Sequence, residues 1–454
     1  MKDVIIVGAG PAGLFAAYNL CETAADVNIT VIDKGRPLSK RKCPMRDGKP
    51  CAHCEPCNIM CGFGGAGTFS DCKLSLTPCN DVGGDIVSYL GKEVAKTTID
   101  AIEAIFDKFD EDRDKRIVVG KEKNEKYKQI ETTLNNEGLK LNYCPTKHLG
   151  TDGTYKVMES MYSYLVNKGV QFIFNHAVKS VELTNKTTKI VVLDNDEAYM
   201  TDYLILAPGR SGNIWLNQLT KNMGIETESN GFDLGYRVEL PYSVLAELTD
   251  NLYDMKIYYN FGNGITMRTF CTNPKGFVSE EHYKNIALAN GHSYADKKSN
   301  NTNFAVLMHF PDMKTEDAVA MLKEYNKATS DSVVMTNICK MFNINYDKNN
   351  VTVPTMKVKN PELWPEGILP KDLNRCFMLF MSLLDYAYPG VFKSTTNIYG
   401  VEAKFYSDRI KVKNNFETSI PGIYCAGDGS GITRGIMKSA ATGFVASSDI
   451  INKL

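Results

Sequence analysis

The chain has 454 residues, of which 43% are hydrophobic and 23% are charged, a globular balance that excludes a disordered or fibrous protein. This length allows two or three domains. Lys and Arg together number 52 and Asp and Glu 53, so no net field favours nucleic acid or an anionic membrane surface, and recognition must depend on a specific pocket.

Two apolar stretches are the candidates for a signal peptide and a membrane span, and both are too short for these roles. The amino-terminal run Val4–Val7 is shorter than the core of a signal peptide. The longest later run, Phe377–Leu384, is interrupted by Ser382 and falls far below the roughly 20 residues that cross a bilayer. Thirteen cysteines, an odd number without a signal, fit reduced thiols or metal ligands better than disulfides. We therefore expect a cytoplasmic protein without a membrane span.

The first elements predict a β-α-β unit that opens a parallel sheet. A β-branched run over Asp3–Gly8 indicates a strand, the spacing over Pro11–Thr23 indicates a helix, and Ile29–Asp33 indicates a second buried strand. Within this unit, Gly8-Ala-Gly10-Pro-Ala-Gly13 is a dinucleotide fingerprint.

Each part of the fingerprint has a physical role. The first glycine allows a tight turn, the second lets the backbone approach a pyrophosphate, and the third permits close helix packing. The helix start supplies N–H donors, and Asp33 is placed to accept a ribose hydroxyl, which disfavours a 2′-phosphate. The fingerprint alone does not separate FAD from NAD. The predicted dinucleotide contacts here are Gly8, Gly10, Pro11, Ala12, Gly13, Asp33 and Lys34.

Residues 34–84 are rich in Cys, Gly and Pro and predict a long functional loop. Gly64, Gly65, Ala66 and Gly67 could let the backbone approach pyrophosphate or flavin, and Ser70 could donate a hydrogen bond. A plain tight turn is the alternative interpretation of these glycines.

The same loop contains a cysteine run with metal-ligand spacing. Cys51, Cys54, Cys57 and Cys61 form a C-x2-C-x2-C-x3-C pattern, as in bacterial ferredoxins, although Gly62 stands where proline follows in those proteins. Three interpretations stay open. They are an iron–sulfur cluster, zinc completed by Cys43 or His53, and free or redox-active thiols.

The remaining elements predict an α/β fold whose Rossmann-like, FAD-binding domain is discontinuous and carries an inserted α+β substrate domain. Helices are expected over 85–108, 152–168 and 316–329, and strands over 170–175, 180–183, 189–193 and 203–206, with strands and a final helix in 397–454. The predicted domains are 1–84, 145–227 and 396–454 for the dinucleotide, 85–144 as a helical insertion, and 228–395 as the substrate or cap domain.

The carboxyl-terminal segment Thr418-Ser-Ile-Pro-Gly-Ile-Tyr-Cys-Ala-Gly427-Asp428 resembles the second FAD motif of the glutathione-reductase-like flavoproteins. The resemblance implies that Asp428 holds a ribityl hydroxyl and that the following helix start faces the flavin pyrimidine. Leu204-Ile-Leu-Ala-Pro-Gly209 resembles another FAD-adjacent segment of that family, with Pro208 as a departure. Further expected FAD contacts are Val178, Ala207, Gly209, Gly427, Asp428, Gly431, Ile432 and Thr433.

Three further motifs resemble those of a bacterial family of FAD-dependent dehydrogenases, and the resemblance spans nearly the whole chain. They are Gly64-Gly-Ala-Gly-Thr-Phe-Ser-Asp-Cys-Lys73, Gly400-Val-Glu-Ala-Lys-Phe-Tyr-Ser407 and Gly427-Asp-Gly-Ser-Gly-Ile-Thr-Arg-Gly435. Cys72 stands where glycine is expected in that family. We therefore ask whether the backbone at Cys72 adopts dihedral angles that only glycine reaches cheaply.

Candidate catalytic residues are fewer and less specific. Arg237 and Arg268 could bind an anionic substrate or form structural ion pairs. Tyr386, like Tyr388, could donate a proton, although tyrosines in an apolar strand are more often core residues. His148 and His176 carry no specific signal.

These patterns favour an oxidoreductase, a dehydrogenase or reductase, that binds FAD non-covalently and transfers hydride to or from a small-molecule substrate. No second glycine fingerprint is visible, so electrons would come from transiently bound NAD(P)H, from an electron-carrier protein or from the substrate. The alternatives are a flavin monooxygenase and a non-enzymatic electron carrier or redox sensor.

Overall fold

The computed structural model describes residues 1–454 except 25, 45–51, 53, 70–71, 79–83, 121–122, 185–187, 253, 284, 294–296 and 360–362. The chain divides into two compact units. Unit 1 comprises Met1–Val118, Pro145–Glu228 and Ser407–Leu454, and unit 2 comprises Val119–Cys144 and Ser229–Tyr406. None of the described helices combines the length and apolar character that crossing a bilayer requires.

Unit 1 contains both strands and helices. They are β1 (Lys2–Val7), α1 (Pro11–Thr23), β2 (Val27–Asp33), β3 (Lys73–Ser75), α2 (Val87–Leu90), α3 (Lys92–Phe109), β4 (Val118–Val119, at the passage to unit 2), β6 (Thr146–His148), α5 (Gly150–Asn167), β7 (Gln171–Phe174), β8 (Val178–Leu183), β9 (Lys189–Leu193), β10 (Ala198–Thr201), β11 (Tyr203–Leu206), α6 (Asn213–Asn222), β12 (Thr227–Glu228), β21 (Arg409–Ile410), β22 (Ile423–Cys425) and α11 (Ile436–Lys453).

A five-stranded parallel sheet forms the centre of unit 1, in the order β22-β11-β1-β2-β7. Both faces of β1 are buried, which explains its continuous apolar sequence. Val4 and Ile6 belong to the core cluster that includes α1, α3, α5 and α11. Ile5 and Val7 belong to the cluster that includes β8, β9 and α6. The parallel sheet confirms the predicted α/β class.

The predicted helical insertion over 85–144 is divided by the structure. Residues up to Val118 lie in unit 1 because Ile99, Ile102 and Phe106 of α3 are buried in its main core, where Phe106 contacts Phe15 with ring centroids 4.9 Å apart. Residues 119–144 lie in unit 2. Periodicity predicts the helix but not the core against which its apolar face packs.

Unit 2 is built around an antiparallel sheet with helices. Its elements are α4 (Glu125–Asn136), β5 (Lys140–Leu141), β13 (Phe232–Pro241), α7 (Tyr242–Asn251), β14 (Ile257–Gly262), β15 (Ile265–Asn273), β16 (Phe277–Tyr283), β17 (Ile286–His292), β18 (Asn301–Phe310), α8 (Thr315–Ala328), β19 (Val334–Asn337), α9 (Ile338–Met341), α10 (Lys371–Ala387) and β20 (Asn397–Phe405).

The main sheet of unit 2 has seven strands in the order β19-β20-β13-β18-β15-β14-β5. Alternate residues of its central strand β13 differ in character. Phe232, Leu234 and Tyr236 belong to an apolar core that includes α10. Between them, Asp233 and Arg237 are polar and yet wholly buried, each 0% exposed. One face of this sheet therefore carries buried charges.

Two expectations about this region are corrected. The predicted boundary at 395/396 assigns β20 to the dinucleotide domain. In the structure β20 pairs with β13 and β19, and unit 2 continues to Tyr406. Tyr386, interpreted as lying in an apolar strand, belongs to helix α10. A short apolar run cannot distinguish a buried strand from a buried helix by periodicity alone.

Candidate dinucleotide-binding site

A cavity of about 440 Å³ lies within unit 1, a volume in the range of small-molecule sites. Its lining comes from six stretches of chain, within 7–12, 32–34, 60–67, 176–178, 207–215 and 427–439. Three of these stretches begin at the carboxyl ends of the parallel strands β1, β2 and β11. Ligands of open parallel sheets bind at this edge.

The fingerprint glycines differ in what surrounds them. A Cβ on Gly8, where φ is +108°, would lie 2.1 Å from the Ala207 carbonyl oxygen, and a Cβ on Gly13 would lie 1.9 Å from the Gly8 oxygen. A Cβ on Gly10 would meet only the Gly65 Cα, at 3.9 Å. Gly10 has an ordinary φ of −81° and lines the cavity. Packing within the protein therefore accounts for glycine at positions 8 and 13. At Gly10, by contrast, the protein leaves open space that belongs to the cavity.

Helix α1 begins directly after this turn, with Gly10 as its N-cap, Pro11 in its first turn and no side chain capping its first N–H groups. Pro11 and Ala12 line the cavity. Such a helix start presents N–H donors and positive potential to an anion.

The Asp33 carboxylate organises the neighbouring loops. Its Oδ2 accepts the Ala9 N–H at 2.8 Å, and its Oδ1 accepts the N–H groups of Gly35 at 2.7 Å and Gly62 at 3.0 Å. Asp33 also lines the cavity. Because a carboxylate has about four acceptor positions, one remains for a ligand hydroxyl.

The cavity is completed by residues that follow β22. The Asp428 Oδ2 lies 3.0 Å from the Arg210 Nη2. Burial raises the pKa of Asp428, although Arg210 and Arg434 act in the opposite direction. Helix α11 starts at Ile436 with Gly435 as N-cap and no capping side chain, and both residues line the cavity. A second helix start therefore faces the same space.

Most residues predicted to contact the cofactor line this cavity. They are Gly8, Gly10, Pro11, Ala12, Asp33, Lys34, Gly65, Ala66, Gly67, Val178, Ala207, Gly209, Gly427 and Asp428. Five others do not line it. They are Gly13, Gly64, Gly431, Ile432 and Thr433. Ile432 and Thr433 are buried, and the Thr433 hydroxyl is 2.8 Å from that of Ser439. Ser70 lies outside the described residues.

Several lining residues were missed or set aside from the sequence. Arg210, Ser211 and Trp215 follow β11, and His176 precedes β8. Lys34 Nζ donates to the Ser211 carbonyl at 3.1 Å. The only sequence signal for Arg210 was its place after the strand that ends in Ala207, which becomes informative once that strand is known to lie beside β1.

Of the predicted metal ligands, Cys61 lines the cavity, with its Sγ 3.4 Å from the Ser211 hydroxyl. Cys57 is exposed and Cys54 half-buried. Cys51, and with it His53, lies outside the described residues. In the part of the chain that the structure describes, no group of three or more His, Cys, Asp or Glu side chains could hold a metal ion. The iron–sulfur and zinc interpretations gain no support.

Arg237, a predicted catalytic residue, is instead a fully buried member of an ion pair. Its Nε and Nη2 donate to the two oxygens of Glu402 at 2.6 and 2.8 Å, and its Nη1 donates to the Cys271 carbonyl and the Asn303 side chain. Both side chains of the pair are 0% exposed. The guanidinium is used within unit 2, which matches the structural ion pair that the sequence left open.

Arg268, the second predicted anion binder, contacts a buried carboxylate. Its Nη2 lies 2.7 Å from Asp233 Oδ2, and His309 Nδ1 lies 2.7 Å from Asp233 Oδ1. The Tyr406 hydroxyl also donates to Asp233. These partners hold the pKa of Asp233 below its usual range despite burial. The arrangement matches the structural ion pair that the sequence left open.

Tyr386 is 74% exposed on α10, whereas Tyr388, just beyond that helix, is buried. Tyr386 therefore lies on a helix surface rather than in a strand.

At Cys72 the backbone is left-handed, with φ of 45°, the region in which glycine is favoured. The departure from the family motif at this position does place a side chain in a conformation that glycine adopts more easily.

Comparisons with known proteins identify one local family. A model of an NAD(P)-binding Rossmann-like domain matches residues 6–41, which contain the fingerprint and β2. This match and the parallel sheet confirm the Rossmann-like domain. No curated protein matches the chain in sequence.

Three solved structures with which the chain was compared are distant likenesses. CtdE in complex with FAD is 11% identical, with a TM-score of 0.35 and coverage of 100% of this chain and 84% of that one. Glycine oxidase from Geobacillus kaustophilus is 10% identical, with a TM-score of 0.39 and coverage of 100% and 95%. The tetracycline destructase Tet(51) is 10% identical, with a TM-score of 0.35 and coverage of 100% and 82%. TM-scores this low assign no activity to the chain.

Proposed function

We propose that this protein is an FAD-dependent oxidoreductase, a dehydrogenase or reductase acting on a small-molecule substrate. One observation carries the proposal. The fingerprint residues Gly8, Gly10, Pro11 and Ala12 and the carboxyl-terminal pair Gly427 and Asp428, which are far apart in sequence, line one cavity. A dinucleotide whose pyrophosphate binds the first motif and whose ribityl chain binds the second would use both.

The fit of the cofactor is supported by Gly10. Its backbone angles are open to any residue and the protein leaves space around it. The fold alone therefore gives no reason for glycine at this position. A pyrophosphate lying against the Gly10 backbone and the start of α1 supplies that reason.

The remaining lining residues divide the roles. Asp33 would accept a hydroxyl of the adenosine ribose, Asp428 would accept a ribityl hydroxyl, and the start of α11 would favour negative charge nearby. When bound, FAD supplies hydride acceptance or donation. The protein residues bind, orient and screen it. We propose that binding is non-covalent, because the two nucleotide-binding motifs account for binding without a covalent link to the flavin.

The test is a matched pair of glycine variants of the full chain, prepared beside the wild type. We expect acid precipitation of the wild type to release FAD into the supernatant. Gly10→Ala should keep the thermal stability of the cofactor-free protein while weakening FAD binding at least tenfold. Gly8→Ala should destabilise the cofactor-free fold itself, because its Cβ meets the Ala207 backbone.

Three results would count against the proposal. Wild-type protein that neither contains nor accepts FAD would defeat the cofactor assignment, and retention of NAD(P) in its place would make the chain a nicotinamide-dinucleotide protein. Wild-type FAD affinity in Gly10→Ala would remove the support that Gly10 gives to the proposal.

With FAD bound, anaerobic turnover of a substrate with an artificial electron acceptor separates a dehydrogenase from a monooxygenase, which incorporates oxygen.

A further inference from the structure

Arg41, which sequence analysis did not select, lies behind one wall of the cavity. Its side chain is buried, with the residue only 4% exposed. The guanidinium donates to four main-chain carbonyls of one short segment. Nε donates to the Asn58 carbonyl at 2.9 Å, and Nη2 donates to the Ile59 carbonyl at 2.6 Å. Nη1 donates to the Phe63 carbonyl and also, at 2.9 Å, to the Gly65 carbonyl. The guanidinium carbon also lies 4.6 Å from the centre of the Phe69 ring.

The segment held in this way, Asn58–Gly65, forms part of the cavity lining. Met60, Cys61, Gly62 and Gly65 line the cavity. The Gly62 N–H donates to Asp33, and a Cβ on Gly65 would lie 3.0 Å from the Gly10 Cα. The wall therefore contacts both the carboxylate proposed to bind ribose and the glycine proposed to approach the pyrophosphate.

The charge of Arg41 is also unusual. Among the described residues no carboxylate forms an ion pair with it, and its partners are neutral carbonyls. Burial lowers the pKa of Arg41 to about 10, against the opposing influence of Asp33. The guanidinium is thus cationic at neutral pH. A buried cation without a paired carboxylate is costly, and carbonyl groups alone could be satisfied by neutral donors.

We propose that Arg41 is a positioning residue for the dinucleotide, whose planar guanidinium fixes the Asn58–Gly65 wall against Gly10 and Asp33 and adds positive potential for the anionic pyrophosphate. The inference rests on the proposed function. Lysine would keep the charge but not the geometry, because a single ammonium cannot reach four carbonyls arranged around a fork. Both properties of arginine are needed.

The experiment measures FAD affinity in full-length Arg41→Ala and Arg41→Lys, with Lys40→Gln as the control. Lys40 is the adjacent cation and is exposed, so its removal tests charge without the carbonyl contacts. We expect FAD affinity to fall at least tenfold in both Arg41 variants and less than twofold in Lys40→Gln. Guanidinium chloride at millimolar concentration should restore part of the affinity of Arg41→Ala, and methylammonium chloride at equal ionic strength should not.

Wild-type affinity in either Arg41 variant, or equal rescue by the two salts, would overturn the role of the guanidinium fork. If Arg41→Ala does not fold, the Arg41→Lys result decides by itself. A wild-type protein that fails to bind FAD refutes the proposed function, whereas a wild type that binds FAD beside variants that bind equally well refutes only the role of Arg41.

Discussion

The Asp428 carboxylate lies on the cavity wall in a partly dehydrated setting that raises its pKa. Sign matters here. A carboxyl group whose pKa rises on folding stabilises the folded state below its unfolded pKa of about 3.9 and loses that contribution as the pH rises. At neutral pH, Asp428 therefore gives little or none of this stabilisation to the cofactor-free fold. A ligand hydroxyl that donates to the carboxylate gives a reason for an acidic residue at this position.

We therefore predict that Asp428→Ala leaves the stability of the cofactor-free protein unchanged or higher at pH 7 and weakens FAD binding. Loss of a charge-assisted hydrogen bond costs about 1.5 to 3 kcal/mol, or roughly tenfold to hundredfold in affinity. Urea unfolding and FAD titration measure the two effects. Arg210→Gln is the comparison, because it removes the ion pair of Asp428 but keeps the carboxylate. Unchanged FAD affinity in Asp428→Ala would refute the ribityl assignment.

At the scale of elements, the antiparallel strands of unit 2 meet around Asp233. Residues of β13, β15 and β18 and Tyr406, just after β20, converge on this one carboxylate. The carboxylate is 0% exposed, whereas the side chains of Arg268 and His309 are 20% and 35% exposed. The cluster ties four strands of the sheet together through a single buried charge.

We predict that Asp233→Asn lowers the free energy of unfolding at pH 7 by about 2 to 3 kcal/mol. This is less than the 3 to 5 kcal/mol of a fully buried pair, because the partners are partly exposed. The pKa of Asp233 is depressed by folding, so its contribution is present above an unfolded pKa of about 3.9 and is lost as the pH falls. The difference between variant and wild type, measured by urea unfolding, should therefore shrink below about pH 4. A difference that stays constant with pH would contradict this account.

Local signals explain which elements and site residues were predictable. Helix α1 runs over Pro11–Thr23 as predicted, and Gly8, Gly10 and Asp33 line the cavity, because turn chemistry and short-range periodicity determine them. Helix α10 was mistaken for a strand. Met378 and Leu379 are 38% and 42% exposed on it, so its central apolar run continues onto the outer face and resembles the short apolar run of a buried strand.

Contacts between distant segments could not be predicted from local patterns. Arg41 was missed because its partners are carbonyl groups, which every residue carries. Arg210 depends on the order of strands in the sheet, and that order follows from packing rather than from residues 207–215 alone. Burial of Arg237 in β13 was also hidden, because alternation normally places polar residues toward solvent.

At the scale of the molecule, all three chain segments of unit 1 contribute residues to the cavity. Binding of a ligand to the folded state alone stabilises that state by about 2.7 kcal/mol at a ligand concentration one hundred times Kd. This stabilisation should be visible where the backbone lines the cavity, in stretches that are far apart in sequence.

We predict that saturation with FAD slows backbone hydrogen exchange in peptides that cover 7–20, 32–36, 60–67, 207–215 and 427–440. The expected effect is at least a tenfold decrease in exchange rate at the starts of α1 and α11, since ligand contacts there hold the first helical turns closed. Mass spectrometry of deuterated protein with and without FAD measures it. Adenosine serves as a control that lacks the pyrophosphate. Protection absent from both helix starts would contradict the proposed binding mode.

The late position of β22 and α11 in the chain has a consequence for biosynthesis. During translation β1, β2 and β11 emerge long before β22, so the edge of β11 that pairs with β22 stays open while unit 2 is being made. The cavity is incomplete on the ribosome until residues as far as Ser439 have left the exit tunnel. Binding of the proposed cofactor must therefore follow synthesis of this segment, and until then the unpaired edge of β11 is open to pairing with other strands.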